Sequence, residues 1–230
     1  MAIYFASDFH LGLDTRLTST QREKRIIRWL DDIRSDLDEL FLIGDCFDYW
    51  FEYKNVVPKG HLRFMAKLAE IRDAGITVHM FTGNHDLWMK DYFVEEIGVE
   101  LHRKPISIKR NNRTFFIAHG DGLGPGDRGY KFIKRIFSSS FNQWLFRRIH
   151  PDTGIAIMKY FSKKSRESEM QPIPFKGPDK EWLIQYAEEH TKIKHHDFYI
   201  FGHRHLPLDI KLSNGQSRYV NTGDWLHHFS

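Results

Sequence analysis

The sequence predicts a layered α/β fold in a single domain. Short, almost continuously apolar segments alternate with segments in which apolar residues recur every three or four positions. This alternation of buried strands and amphipathic helices is typical of layered α/β proteins. The chain has 230 residues, which is enough for one domain with its own core. We therefore expect one domain over residues 1–230.

Six apolar segments are predicted as strands, at residues 3–6, 39–43, 77–81, 114–118, 197–201 and 218–220. Helical spacing of apolar residues predicts one helix over 20–37 and a second over 61–74, with Gly75 as its stop signal. Asn111 and Asn112 stand between two apolar segments, 106–108 and 114–116, and predict a hairpin turn.

A segment from about residue 130 to 190 interrupts the alternation. It is predicted as two or three helices inserted between core strands, with prolines at 151, 172, 174 and 178. We interpret it as a helical cap over the functional site; the alternative is an ordinary pair of surface helices. Between Phe132 and Ile149 it is basic and rich in aromatic residues. Such a face can lie on an anionic membrane or shelter acyl chains, unless it packs on the core.

Composition excludes several classes of protein. The mean hydropathy of -0.51 and the lack of a long uncharged apolar stretch argue against a membrane span. Cys46 is the single cysteine, so no intrachain disulfide is possible, and no signal peptide is expected before the first strand. We expect a cytoplasmic protein. The net charge of +4 is by itself only weak evidence for any particular partner. The sequence has no base-reading motif, so no nucleic-acid partner is expected. No obligate protein partner is expected either.

Five short motifs of metal-ligand side chains follow predicted strands: 8–10 (DFH), 44–48 (GDCFD), 83–86 (GNHD), 119–121 (HGD) and 202–205 (GHRH). Ligands gather at the carboxyl ends of parallel strands, so we expect one shared site. Carboxylate, amide and imidazole donors suit Mn²⁺, Fe²⁺ or Zn²⁺ better than Ca²⁺. Two such ions, about 3.5–4 Å apart, can clamp a phosphoryl group and activate water. The motifs predict a two-metal hydrolase.

The residues of the central motifs have distinct expected roles. Asp45 ends a buried strand, where its two oxygens can bridge two cations. Asp48 is placed either to accept a proton from a histidine of the site or to form a turn. Asn84 offers an amide oxygen to a metal. His85 then points elsewhere, which makes it a candidate to meet phosphate or to protonate a leaving group. Asp86 could orient His85 or cap a following helix.

Apart from His85, the histidines divide into two groups by their spacing. His119 follows a strand, and His203 and His205 are two positions apart after another, so we expect these three to face the cluster with Asp8 and His10. No spacing supports the other nine as ligands: His61, His79, His102, His150, His190, His195, His196, His227 and His228.

These motifs, in this order, resemble those of the calcineurin-like metallophosphoesterases over the whole chain. The resemblance implies a four-layer αββα sandwich with a binuclear metal site. By position, it implies that one ion is held by Asp8, His10, Asp45 and His205. It implies that the other is held by Asp45, Asn84, His119 and His203.

Within that family, the chain is most similar to members that hydrolyse a diacylated UDP-sugar of lipid A synthesis. The similarity is carried by segments 8–11, 44–50 and 119–123, followed by Asp127 and Tyr130. It implies cleavage of the pyrophosphate to an acylated sugar 1-phosphate and UMP, with two Mn²⁺ ions, at the inner membrane surface. It implies substrate contacts from Asn84, His85, Asp127, Tyr130, Lys164, Ser165, Arg166 and His203. His85 departs from the pattern of these members, because their best-known branch carries Arg at this position.

Two alternatives remain open at this point. The chain could be a soluble phosphodiesterase or phosphatase that acts on a nucleotide or small phosphoester. It could also be a binding module that keeps the fold without activity and binds nucleic acid nonspecifically through its basic segment. The complete ligand set argues against the second alternative.

Overall fold

Two β-sheets packed face to face organise the chain. The computed structural model describes residues 2–125, 128–167, 174–175 and 177–230, without the side chains of 128–130 and 165–167. The first sheet is entirely parallel, in the order β1 (Ala2–Ala6), β2 (Leu37–Ile43), β3 (Thr77–Phe81) and β4 (Glu100–His102).

The second sheet is mixed and has the order β5-β6-β7-β9-β8. Its central strands β6 (Arg113–Ala118), β7 (Phe198–Phe201) and β9 (Arg218–Thr222) run parallel. The edge strands β5 (Ile106–Arg110) and β8 (Pro207–Lys211) are antiparallel to their neighbours. The carboxyl ends of β6 and β7 therefore lie at one edge of this sheet.

Helices cover the outer face of each sheet. The first sheet packs against α1 (Ser19–Asp32), α2 (Leu62–Asp73) and α3 (Tyr92–Ile97) through one apolar cluster. The second packs against α7 (Trp182–Ile193), which buries Leu183, Ile184 and Ala187. A third cluster fills the space between the sheets and contains Phe41, Ile43, Phe81, Ile117 and Ile200. The expected αββα sandwich is confirmed.

Three further helices occupy the first part of the interrupting segment: α4 (Arg128–Phe137), α5 (Ser140–Phe146) and α6 (Pro151–Glu167). A short 3-10 helix, Pro178–Lys180, precedes α7. The rings of Phe137 and Phe146 lie 5.4 and 5.0 Å from Trp88, and Trp88 Nε1 donates to the Phe137 carbonyl at 2.6 Å. These contacts attach α4 and α5 to the sandwich, whereas α7 belongs to its outer layer.

The predicted strands are all present, with ends that differ by at most two residues. Asn111 and Asn112 have φ of 48° and 60°, the left-handed pair that a tight hairpin turn requires. The first helix ends at Asp32, well before the predicted 37, because Leu37 already begins β2. The sequence prediction missed β4, β8 and α3, which are short or lie at an edge.

Candidate metal centre

The motif residues occupy unusual backbone conformations at the strand ends. Five of the seven candidate ligands have a left-handed φ: Asp8 (56°), His10 (44°), Asp45 (51°), His203 (66°) and His205 (53°). A residue with a Cβ adopts this region at a cost of about 1–3 kcal/mol, and such residues cluster at functional sites. Their concentration here indicates that the surrounding structure imposes the positions of these side chains.

Buried Arg22 of α1 holds the loop that follows β1. Its Nε donates to the Phe9 carbonyl at 2.7 Å, and its Nη2 donates to the carbonyls of His10, at 2.7 Å, and Leu13, at 2.5 Å. A guanidinium has several donors in a fixed plane, so one side chain can satisfy several loop carbonyls. The position of His10 therefore depends on a residue that the motif analysis did not select.

Asp86 ties two of the motif loops together. Its Oδ1 accepts the Gly83 N–H at 2.7 Å, and its Oδ2 accepts the Phe47 N–H at 3.3 Å. Burial, followed by the nearby Asp45 charge, raises the pKa of Asp86 to about 7. The expectation that Asp86 caps a helix is wrong, since no helix begins beside it. It positions the two loops through their backbones.

The first set of candidate ligands lies around Asp8. Its Oδ2 accepts hydrogen bonds from the Ser7 hydroxyl and, at 2.9 Å, from the His203 N–H. Its buried Oδ1 has no hydrogen-bond partner among the described residues, but it lies 3.2 Å from His205 Nε2 and 3.8 Å from His10 Nε2. The two histidine nitrogens are 3.2 Å apart. Three ligand atoms thus face a common point, as a cation would require.

The second set lies beside the first and adjoins it at Asp45. Asp45 Oδ2 is 3.3 Å from His119 Nε2 and 3.9 Å from His10 Nε2, so it faces both sets. Asn84 Oδ1 is 3.2 Å from His119 Nε2 and 2.9 Å from His203 Nδ1. The structure therefore brings all seven candidate ligands together in two neighbouring sets.

Two histidines are oriented by partners behind them. His119 Nδ1 donates to the Ile43 carbonyl at 2.8 Å, which leaves Nε2 as the ligand atom. His205 Nδ1 lies 3.2 Å from Asp224 Oδ2, which leaves its Nε2 facing Asp8. The sequence prediction missed Asp224. It follows a strand and a glycine, as Asp45 does, and this pattern could have identified it.

The electrostatics of the centre favour cations. Burial disfavours a proton on His119, but Asp45 and then Asp8 outweigh burial and raise its pKa to about 10. Burial likewise opposes protonation of His205, and Asp8 and Asp224 raise its pKa well above the usual value. The pKa of Asp45 is lowered despite its burial, because histidines surround it. Without a metal, protons supply the positive charge that the buried carboxylates need, so the residues fit divalent cations.

His85 and Asp48 lie at the border of the centre and contact α6. His85 Nδ1 is 3.0 Å from the Asp48 carbonyl oxygen and 3.3 Å from Ser162 Oγ. Ser162 Oγ also lies 3.0 Å from Asp48 Oδ2. Asp48 Oδ1 is 3.8 Å from His10 Nδ1, so a histidine of the site lies beside it. Ser162 had no signal in the sequence, because it lies 114 positions from Asp48.

The predicted substrate contacts divide into those at the centre and those on the helices. Asn84 and His203 lie in the second ligand set, and Lys164 is exposed on α6. Asp127 lies outside the described residues, as do the side chains of Tyr130, Ser165 and Arg166. The substrate roles of these residues remain predictions.

Comparison with known proteins connects the chain to phosphoesterases. A sequence model of the "Calcineurin-like phosphoesterase" family matches residues 1–207. A protein of Porphyromonas gingivalis named "UDP-2,3-diacylglucosamine hydrolase" is 37% identical over 241 residues, covering 99% of this chain and 92% of that protein. A protein of the same name from Shewanella baltica (strain OS195) is 29% identical, covering 98% and 90%. A solved E. coli phosphoesterase, Yfce, is 15% identical and covers 97% of this chain and 79% of that chain, with a TM-score of 0.45.

Metal binding is predicted to release protons. Because the raised pKa values keep His119 and His205 protonated at neutral pH in the metal-free protein, each must lose its proton to become a ligand. We expect the release of about two protons per chain at pH 7 and a metal affinity that falls as the pH falls. Calorimetric titrations with Mn²⁺ in buffers of different ionisation enthalpy measure this release. Identical heats in all buffers would contradict it.

Proposed function

The chain belongs to the calcineurin-like phosphoesterase family, and on that premise we propose that it cleaves the pyrophosphate of UDP-2,3-diacylglucosamine. The products are 2,3-diacylglucosamine 1-phosphate (lipid X) and UMP. The observation that carries this proposal is the similarity of nearly the whole chain to relatives named for this substrate. The meeting of two ligand sets at Asp45 supports hydrolysis as the chemistry.

In this proposal one ion is bound by Asp8, His10, Asp45 and His205. The other is bound by Asp45, Asn84, His119 and His203. Oxygen and imidazole donors without a thiolate suit Mn²⁺, which we propose as the metal. When bound, such a pair of ions supplies Lewis-acid stabilisation of phosphoryl oxygens and lowers the pKa of water.

The protein's own residues hold the two ions and donate a hydrogen bond or a proton to the leaving oxygen. The backbone N–H of His85 donates to Asp45 Oδ1 at 2.9 Å, which leaves Oδ2 directed at the two ligand sets. A ring nitrogen of His85 lies within 4.8 Å of ligand atoms of His10 and Asp45. From there it can donate a hydrogen bond or a proton to a phosphate oxygen as charge develops on it. Asp48 fixes the ring through its carbonyl and lies beside His10.

The face that α4 and α5 present supports a lipid substrate. Large apolar side chains on these two helices stay exposed: Phe132, Ile133, Ile136, Phe141, Trp144 and Leu145. Phe137 and Phe146 already make the contacts with the sandwich, so the exposed residues are not the ones that pack on the core. No helix among the described residues is both long and apolar enough to cross a membrane. We propose that this face contacts acyl chains at the cytoplasmic surface of the inner membrane.

Two contacts connect these helices to the metal centre and support their role as a cap. Lys134 of α4 places its Nζ 2.5 Å from Asp121 Oδ2, two residues after His119. Ser162 of α6 contacts Asp48 and His85 directly. These contacts place α4 and α6 beside the metal centre, as the proposed cap requires.

Loss of a ligand should abolish turnover without unfolding the protein. We expect Asp45→Asn and His119→Ala each to lower the hydrolysis of UDP-2,3-diacylglucosamine by more than about 10²–10³-fold, since each is placed to bind an ion. His195→Ala, at an exposed histidine, is the matched control. Release of UMP with excess Mn²⁺ measures the rate, and circular dichroism monitors folding. Near wild-type rates in either ligand variant would overturn the proposal.

Replacement of His85 should separate proton donation from metal binding. His85→Ala is expected to slow hydrolysis by roughly 10²–10⁴-fold, the usual contribution of an acid or base. Its manganese content should equal that of the wild type, because His85 is not among the proposed ligands. Rate and metal content are measured on the same samples. An unchanged rate, or a lost ion, would assign His85 a different role.

Substitutions on the exposed face of α4 and α5 should affect the hydrolysis of the acylated substrate alone. We expect Phe141→Ser with Trp144→Ser to weaken binding to anionic vesicles and to raise the KM for UDP-2,3-diacylglucosamine, because each large side chain contributes about 1.5–3 kcal/mol when buried. Hydrolysis of a soluble phosphodiester should not change. Ile193→Ser, on an 85% exposed residue of α7, is the matched control. Equal losses with both substrates would contradict a lipid role, and turnover of soluble nucleotides alone would favour a soluble phosphoesterase.

A further inference from the structure

A second cluster of histidine and carboxylate side chains lies where β4 closes the first sheet. The parallel register pairs His79 with Glu100 and Phe81 with His102. Side chains two positions apart share a face of the sheet, so His79, Glu100 and His102 point to the same side. One ligand atom from each lies within 4.8 Å of the other two. None of these residues belongs to the candidate metal centre.

The atoms of this cluster lie about 0.1–0.5 Å closer together than the ligands of a tetrahedral ion, so a small outward shift of the side chains would admit one. His79 Nδ1 is 3.1 Å from His102 Nε2 and 3.2 Å from Glu100 Oε2. Ligands bound at about 2.0–2.2 Å to a tetrahedral ion lie about 3.3–3.6 Å from each other. An N–H on His79 Nδ1 can point at only one of its two neighbours. A cation would bind the ligand atoms of all three residues.

The far side of His79 provides a second observation. The residue is only 4% exposed, and its Nε2 has no hydrogen-bond partner within the part of the chain that the structure describes. That nitrogen lies 3.8 Å from Glu39 Oε1, and Glu39 is fixed by Arg110 through bonds of 2.8 and 2.9 Å. Metal-bound histidines typically direct their other N–H at such a carboxylate.

We propose that His79, Glu100 and His102 form a divalent-cation site of the zinc type, separate from the hydrolytic centre. Two imidazoles and one carboxylate form an established zinc ligand set that leaves a fourth position for water. Glu100 has a 57% exposed side chain, so an ion can enter from solvent. The bound ion cross-links β3 to the three-residue edge strand β4. Sequence spacing could not suggest this site, because His79 and His102 are 23 positions apart.

Zinc content per chain tests this site independently of the proposed substrate. Full-length wild type, His102→Ala and the control His195→Ala are stripped of metal, reloaded with excess Zn²⁺, desalted and analysed by mass spectrometry. We expect His102→Ala to hold one zinc fewer per chain than the other two proteins. After reloading with Mn²⁺, its hydrolysis of a soluble phosphodiester should equal that of the wild type, because the hydrolytic centre is intact.

Two further variants keep the test decisive if His102→Ala folds poorly. Glu100→Gln changes an exposed side chain and should also lose one zinc. Glu39→Gln should retain the site with an affinity about 10–100-fold lower, as expected for a residue that supports a ligand from behind. Equal zinc content in the wild type, His102→Ala and Glu100→Gln would overturn the proposal. Loss of zinc together with loss of hydrolysis would also overturn it, since the ion would then belong to the hydrolytic centre.

Discussion

The rest of the centre depends on the contacts that the buried carboxylate of Asp45 makes. One oxygen accepts a hydrogen bond from the backbone N–H of His85, and the other lies within 3.9 Å of ring nitrogens of both His10 and His119. A buried charge is stable only with compensating charge and hydrogen bonds around it. The two ligand sets provide positions for that positive charge on either side of Asp45. Without this carboxylate, they would be two separate half-sites.

The backbone that presents these ligands is strained, and buried polar residues hold it in place. Left-handed residues at the ends of β1, β2 and β7 cost about 1–3 kcal/mol each. Arg22 and Asp86 offset this cost with hydrogen bonds to the backbones of the motif loops. Neither residue is a candidate ligand, yet both determine where the ligands lie. The sandwich positions the candidate ligands, and the exposed face of α4 and α5 is the surface that we propose for contact with acyl chains.

Most of the fold and the clustering of the motif residues could be predicted, because their signals are local. Apolar runs mark buried strands, and each motif directly follows one. The missed elements lack such signals: β4 has three residues, and β8 lies at an edge with alternating exposure. Contacts distant in sequence, such as Ser162 with Asp48 or His79 with His102, follow from topology and leave no spacing to detect. Asp224 is intermediate, since its position after a strand and a glycine is visible in the sequence.

The most direct test of the shared carboxylate is a crystal structure of the manganese-loaded protein with anomalous scattering measured at the manganese edge. We expect two manganese peaks about 3.5–4 Å apart. The Asp45 carboxylate should lie between them, with Asp8, His10 and His205 on one side and Asn84, His119 and His203 on the other. A single peak, or two peaks that both lie away from Asp45, would contradict it.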